Sequence, residues 1–168
     1  MVPMKILVLS DSHSSMYFMR RCVETIRPQA VIHLGDYYDD GQTLKELYPQ
    51  IELHQVPGNC DRYRCSPWVH TQLCYDVCGV RLFMTHGHKQ SVKSGTELLI
   101  AQARAMQAKA ALYGHTHIAD CHREADGLWV LNPGSAGYGG GSAGLIETDG
   151  HTVISCRILT AENLEEFV

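Results

Sequence analysis

An α/β fold is predicted for this chain, parallel at its start and antiparallel toward its end. Two patterns carry the prediction. The first third alternates short continuous apolar runs with a segment of helical period, and the last third is cut into short strands by Asp126-Gly127 and Asp149-Gly150. A third observation concerns the polar residues. Asp11-Ser12-His13, Gly35-Asp36, Gly58-Asn59-Cys60-Asp61, Thr85-His86-Gly87-His88 and Gly114-His115-Thr116-His117 each sit where an apolar run stops.

Lys5 to Leu9 reads as a strand covered on both faces. From Ser14 the period changes: Met16, Met19, Cys22, Val23 and Ile26 recur at helical spacing, Ser14 or Ser15 is the expected cap, and Pro28 ends the helix. Ala30 to Leu34 is a second buried strand, so the unit is βαβ with a right-handed crossover. A short helix over Gln42 to Leu47 is stopped by Pro49, and a third strand runs from Ile51 to Val56. Residues 60–70 have no period and read as a loop. Leu73 to Cys78, Gly79, and Val80 to Met84 form a hairpin pattern. Thr96 to Lys109 is helical in composition, and Ala110 to Tyr113 returns to strand. Ile118 to Arg123, Leu128 to Leu131, Ala143 to Glu147 and Thr152 to Ile158 are expected as an antiparallel meander. The Gly-rich run Gly137 to Gly144 lacks the spacing of a phosphate-binding loop and reads as a tight turn.

At 168 residues the chain fits one domain, residues 1–168. A net charge of -4 argues against a broad nucleic-acid surface. Seven cysteines, an odd number without a C-x-x-C pair, argue against a disulfide framework or zinc ribbon and read as reduced core residues. No run reaches the ~20 apolar residues of a membrane span, and the cytoplasm is the expected compartment. The sequence leaves the oligomeric state open.

In an open α/β sheet, ligands collect beyond the carboxyl ends of the strands. Asp11, His13, Asp36 and Asn59 follow three successive strands there. Carboxylate, imidazole and amide donors gathered on one sheet edge suit a two-metal hydrolytic site, with Asp36 able to bridge ions ~3.5–4 Å apart. In an extended segment residues i and i+2 share a face, so Asp11/His13 and His115/His117 are each expected to reach one metal centre from a single loop. His33 lies within a strand and reads as a packed core histidine. His54, His70, His122 and His151 belong to no cluster. Taken singly, each motif has an ordinary reading as a turn, a cap or a packed side chain; their joint order at strand ends does not.

The series Asp11-x-His13, Gly35-Asp36, Gly58-Asn59-x-Asp61, His86 and Gly114-His115-x-His117 resembles the calcineurin-like metallophosphoesterase pattern. With Thr85-His86-Gly87-His88 and Asn132-Pro133-Gly134-Ser135, it resembles in particular the small YfcE-type phosphodiesterases, from Met4 to about Ile158. The resemblance implies two packed mixed β-sheets flanked by helices, a four-layer αββα sandwich. It implies one metal on Asp11, His13, Asp36 and His117 and a second on Asp36, Asn59, His86 and His115. Manganese is the expected metal, with iron, zinc, nickel or cobalt compatible with the same donors. A small phosphodiester would be hydrolysed by in-line attack of a metal-bridging hydroxide. Asp61 would orient Asn59 or a ligating imidazole; His88 and Lys89 would meet the phosphate, and Cys60, Arg62 and Arg64 the leaving-group side. Tyr37, Tyr38, Tyr63 and Trp68 are candidates to line the pocket, and loops 62–70, 89–95 and 137–144 to recognise the substrate.

An alternative class is a non-catalytic, metal-binding scaffold of the same fold, as in the endosomal retromer subunit with a similar Gly-His-Thr-His region. That subunit has lost some ligands, whereas every ligand position here holds a competent donor. One departure from the pattern matters. Many relatives carry histidine at the position of Cys60, and a thiol with a free pKa of ~8.5 is a poorer proton donor to an alkoxide. Cys60→His is therefore expected to raise turnover of esters with poor leaving groups by about tenfold or more, since general acids contribute roughly 10²–10⁴. The check is the ratio of rates on alkyl and p-nitrophenyl esters; an unchanged ratio would remove Cys60 from the leaving-group step.

Overall fold

A computed structural model describes residues 1–168. Its strands are β1 (Met4–Leu9), β2 (Ala30–His33), β3 (Glu52–Gln55), β4 (Gln72–Val77), β5 (Val80–Thr85), β6 (Ala110–Leu112), β7 (Asp120–Arg123), β8 (Trp129–Asn132), β9 (Ser142–Thr148) and β10 (Val153–Thr160). Its α-helices are α1 (Tyr17–Ile26), α2 (Tyr38–Leu47) and α3 (Glu97–Ala105). None is long and apolar enough to cross a membrane.

The strands form two five-stranded mixed sheets, ordered β10-β9-β1-β2-β3 and β4-β5-β6-β8-β7. In the first, β1, β2 and β3 are parallel and β9 and β10 antiparallel. In the second, β5, β6 and β8 are parallel, with β4 and β7 antiparallel at the edges.

Side-chain alternation along each strand builds the layers. Ile6 and Val8 of β1 and Ile32 of β2 face Leu82, Met84 and Leu112 of the second sheet in one apolar cluster. Leu7, Leu9 and Val31 face the other way, onto Phe18, Met19, Cys22 and Ile26 of α1 and Leu44 of α2. Phe83, Ala111 and Val130 cover the outer face of the second sheet with Leu99, Ile100 and Ala103 of α3. The four-layer αββα sandwich is present, and its central strands are buried on both faces, as their unbroken apolar runs require.

Several local expectations are corrected. The four C-terminal strands are two hairpins in different sheets, not one meander. Pro133 ends β8 because it lacks an N–H for a ladder, and Gly134 turns the chain toward the other sheet at φ +74. Neither Ser14 nor Ser15 caps α1; Met16 holds that position without a side-chain bond, and Arg27 closes the helix in the left-handed region. The second helix starts earlier than expected, at Tyr38, with Asp39 and Asp40 placed at its positive end. The third is shorter than its composition suggests. Of the cysteines only Cys22 is a buried core residue; Cys60 is exposed and the other five are half-buried.

The β4–β5 turn has positive φ at both Cys78 (+47) and Gly79 (+80), the geometry of a tight hairpin turn. A Cβ on Gly79 would lie 2.0 Å from the carbonyl oxygen of Gly150, in the β9–β10 turn of the other sheet. At Gly150, also at positive φ, the nearest neighbour is the end of the flexible Met4 side chain at 3.4 Å. Gly150→Ala is expected to cost about 1–2 kcal/mol for left-handed backbone alone. Gly79→Ala adds a backbone clash and should cost about 2 kcal/mol more. Urea unfolding of the two variants measures the difference.

Candidate metal centre

The donors converge at one end of the sandwich. Asp11 follows β1, Asp36 follows β2 and Asn59 follows β3 in the first sheet; His86 follows β5, and His115 and His117 follow β6 in the second. One ligand atom each from Asp11, His13, Asp36 and His117 lies within 4.8 Å of the others. On the other side of Asp36, its Oδ2 is 3.5 Å from His86 Nε2, which is 3.1 Å from Asn59 Oδ1. The ring of His115 stands 5.1 Å from that of His86.

Asp11 and His13 reach one cluster as expected, but His115 and His117 do not, and the extended backbone assumed for both pairs is absent. Asp11, His13, His115 and His117 all have left-handed backbone (φ 54, 46, 71 and 61), so neither segment is extended. The second pair diverges: His117 Nε2 lies 3.1 Å from Asp11 Oδ1, whereas His115 turns to His86 and His88. One loop thus serves both sides of Asp36.

Polarity shows that the residues fit a cation. His86 Nδ1 lies 2.8 Å from the carbonyl oxygen of Leu34, which only accepts, so Nδ1 carries the proton there. That bond fixes the ring so that Nε2 faces Asn59 Oδ1, Asp36 Oδ2 and, at 3.9 Å, Asp11 Oδ1. Three oxygens converging on one nitrogen gather negative charge that a proton on Nε2 or a bound cation would balance. Asp11 Oδ1 and His13 Nε2 are likewise buried without a hydrogen-bond partner. Burial, reinforced by His86, lowers the pKa values of His88 and His115, which favours neutral rings with free lone pairs. Burial alone would raise Asp36, but His86 and the Cys60 N–H outweigh it and hold the carboxylate ionised.

Buried hydrogen bonds hold the donor loops. Ser10 Oγ–H (2.6 Å) and the His115 N–H (3.0 Å) donate to Asp11 Oδ2, leaving Oδ1 aimed inward. The Cys60 N–H donates to Asp36 Oδ1 at 3.0 Å. Asp61 accepts from the backbone N–H groups of Asp36, Tyr37, Tyr38 and Gly58 at 2.7–2.9 Å. It therefore fixes the Asp36 backbone, rather than Asn59 or an imidazole. Ser135 Oγ–H donates to the Asp11 carbonyl (2.8 Å), and Asn132 Nδ2–H₂ donates to the Gly114 carbonyl and Thr116 Oγ1. His33 is fully buried but more than packing: it accepts the Gly35 N–H on Nδ1 and bonds Ser12 Oγ, which donates to Asp40 at 2.7 Å. Gly58 is obligatory because a Cβ would stand 2.2 Å from Asp36 Oδ1.

The outer residues divide. The His88 ring stands 5.5 Å from that of His86, at the rim of the cluster. Cys60 is exposed beside Asn59, its thiol pKa raised by partial burial and the Asp36 charge. Arg62 lies over Tyr63, Lys89 bonds Thr71, and Arg64 is held by Asp39 and the Tyr37 ring. Tyr37 packs on His13 at 4.9 Å, whereas Tyr63 and Trp68 stand almost fully in solvent. The aromatic residue that sequence reasoning missed is Tyr138, stacked on His117 at 5.6 Å and tilted against His13 at 5.1 Å. It lies in the Gly-rich run, where composition hides a single ring. Asp40 was equally invisible, and Ser12 and Ser135 stood in the motifs without a role, since their partners are distant in sequence. Asp61→Asn would set an NH₂ group against two of the four backbone donors, whichever way the amide turns, and is expected to cost about 2–4 kcal/mol of stability in urea unfolding.

Residues 4–150 match the family model described as the calcineurin-like phosphoesterase superfamily domain. The chain is 30% identical over 134 residues to a probable metallophosphoesterase of Mycoplasma pneumoniae, covering 78% of each chain. It is 29% identical over 177 aligned positions to the phosphodiesterase YfcE of Escherichia coli, covering 90% of this chain and 92% of that one. Vacuolar Protein Sorting 29 from Cryptosporidium parvum superposes with a TM-score of 0.72 at 16% identity, over 95% of this chain and 100% of that one. A family match along most of the chain coincides with the convergent donors at the strand ends, and this protein belongs to the calcineurin-like phosphoesterase superfamily.

Proposed function

We propose that the protein is a dinuclear metal-dependent phosphodiesterase acting on a small phosphodiester. The observation that carries the reading is the gathering of donor atoms from both sheets around Asp36. Asp11, His13, Asp36 and His117 would hold one divalent ion, and Asp36, Asn59, His86 and His115 a second, with manganese our first assignment. Such a pair supplies Lewis-acid polarisation of phosphoryl oxygens and a water nucleophile competent at neutral pH.

The chain's own residues supply the positioning. Asp36 faces both donor groups because its Oδ1 is tied to the Cys60 N–H while Oδ2 lies 3.5 Å from His86 and 4.0 Å from His13. The bond from His86 Nδ1 to the Leu34 carbonyl orients the ring and keeps its Nε2 lone pair available. His88, kept neutral by burial, and the Cys60 thiol stand at the rim where a phosphoryl group and its leaving group would lie. Tyr138 shields the face of His117.

The likeness to Vacuolar Protein Sorting 29 favours a second reading, a metal-binding interaction module without turnover. The full set of donors supports the first reading, and turnover is what distinguishes the two. The test is hydrolysis of bis-p-nitrophenyl phosphate by chelator-stripped protein, with and without manganese. Manganese-dependent turnover that falls by about 10²-fold or more in Asp36→Asn and His117→Ala is expected. Metal binding without turnover under any divalent metal would favour the interaction module.

A further inference from the structure

Two of the seven cysteines meet across the sandwich. Cys121 lies on β7, an edge strand of the second sheet, and Cys156 on β10, an edge strand of the first. Their Sγ atoms are 3.2 Å apart, joined by a thiol–thiol hydrogen bond. Both side chains border the apolar layer between the sheets, and both residues are half-buried rather than sealed. No ladder pairs β7 with β10, so only side chains join the two sheets at this edge.

We propose that Cys121 and Cys156 are a covalent modification site: a reversible disulfide, formed by exchange with a low-molecular-weight disulfide such as glutathione disulfide, that staples one sheet to the other. A disulfide needs sulfurs about 2.05 Å apart, so closure draws these two together by only about 1 Å. The chemistry is asymmetric in a useful way. The hydrogen bond from Cys156 favours the Cys121 thiolate, whereas the same contact and its deeper burial keep the proton on Cys156. The Cys121 thiolate attacks one sulfur of glutathione disulfide, forming a mixed disulfide and releasing one glutathione thiolate. That thiolate takes the Cys156 proton. The Cys156 sulfur then displaces the second glutathione from Cys121, closing the protein disulfide. Two protein thiols are oxidised, and one glutathione disulfide is reduced to two glutathiones.

The location gives the bond a consequence. Cys121 follows His117 by four residues, on the strand that leaves the His115–His117 loop. Cys156 belongs to the sheet whose strand ends carry Asp11, Asp36 and Asn59. The cross-link ties the two donor-bearing halves at an edge where no backbone bond does.

The test uses the full chain, incubated with glutathione disulfide, blocked with iodoacetamide and mapped by mass spectrometry. Cys121 and Cys156 are expected to lose alkylation together and appear as one linked peptide, two hydrogens lighter, restored by dithiothreitol. The melting temperature should rise by about 5 °C or more in the oxidised protein, because the bond closes a loop of 35 residues. Neither Cys121→Ser nor Cys156→Ser should show that rise. Full alkylation of both residues, separate glutathione adducts on each, or linkage to a different cysteine would overturn the assignment. A linked peptide without a rise in melting temperature would overturn the staple.

Discussion

Left-handed backbone at the donor residues is the constraint on which the rest of the site depends. Asp11, His13, Asp36, His115 and His117 all have positive φ, and none is glycine. Each such residue costs about 1–2 kcal/mol relative to ordinary backbone. A chain keeps several of them only where the surroundings over-determine their conformation. Here the surroundings are buried polar groups acting on the backbone of the loops. Asp61 gathers the N–H groups beside Asp36, Ser135 takes the Asp11 carbonyl, and Asn132 takes the carbonyl of Gly114. The tight reversals turn side chains inward that an extended exit from the strand would send past one another.

The same loops explain the glycines beside them. Gly58 leaves room for Asp36, and Gly114 leaves room for Ser10 and Asp11, where a Cβ would come within 2.1 Å of the Ser10 hydroxyl. A methyl group at either position would displace a donor rather than a neutral neighbour. Electrostatics then completes what the geometry starts. Burial keeps His88 and His115 neutral, while neighbouring groups keep Asp36 ionised, so lone pairs and negative charge face a common point. That arrangement is unfavourable in isolation and favourable around a divalent cation.

The donors come from two separate sheets, so their register relies on the packing between those sheets. Ile6, Val8 and Ile32 meet Leu82, Met84 and Leu112 there. At the far end, the Gly79 turn touches the Gly150 carbonyl, and along one edge Cys121 meets Cys156. The donor-bearing end of the molecule and its stability are thus coupled through a single apolar interface, with few polar contacts bridging it.

Much of this was legible in the residues themselves. Continuous apolar runs marked the buried strands, helical spacing marked α1, and the polar clusters at strand ends marked the donors, because each of these signals is local. What the sequence left open is equally physical. Hairpin patterns for β7–β8 and β9–β10 say nothing about which sheet each joins, since sheet membership is decided by long-range packing. The i, i+2 rule failed at His115 and His117 because it assumes extended backbone, and positive φ is set there by partners more than ten residues away, such as Asp11 and Asn132. Tyr138, Asp40 and the Cys121–Cys156 pair carried no signal, as each gains its meaning from a residue remote in the chain. By itself the sequence determined the chemical kinds of the donors and their places at strand ends. Only the tertiary structure decided which donor faces which, because that depends on how two sheets, each formed from distant segments, pack against one another.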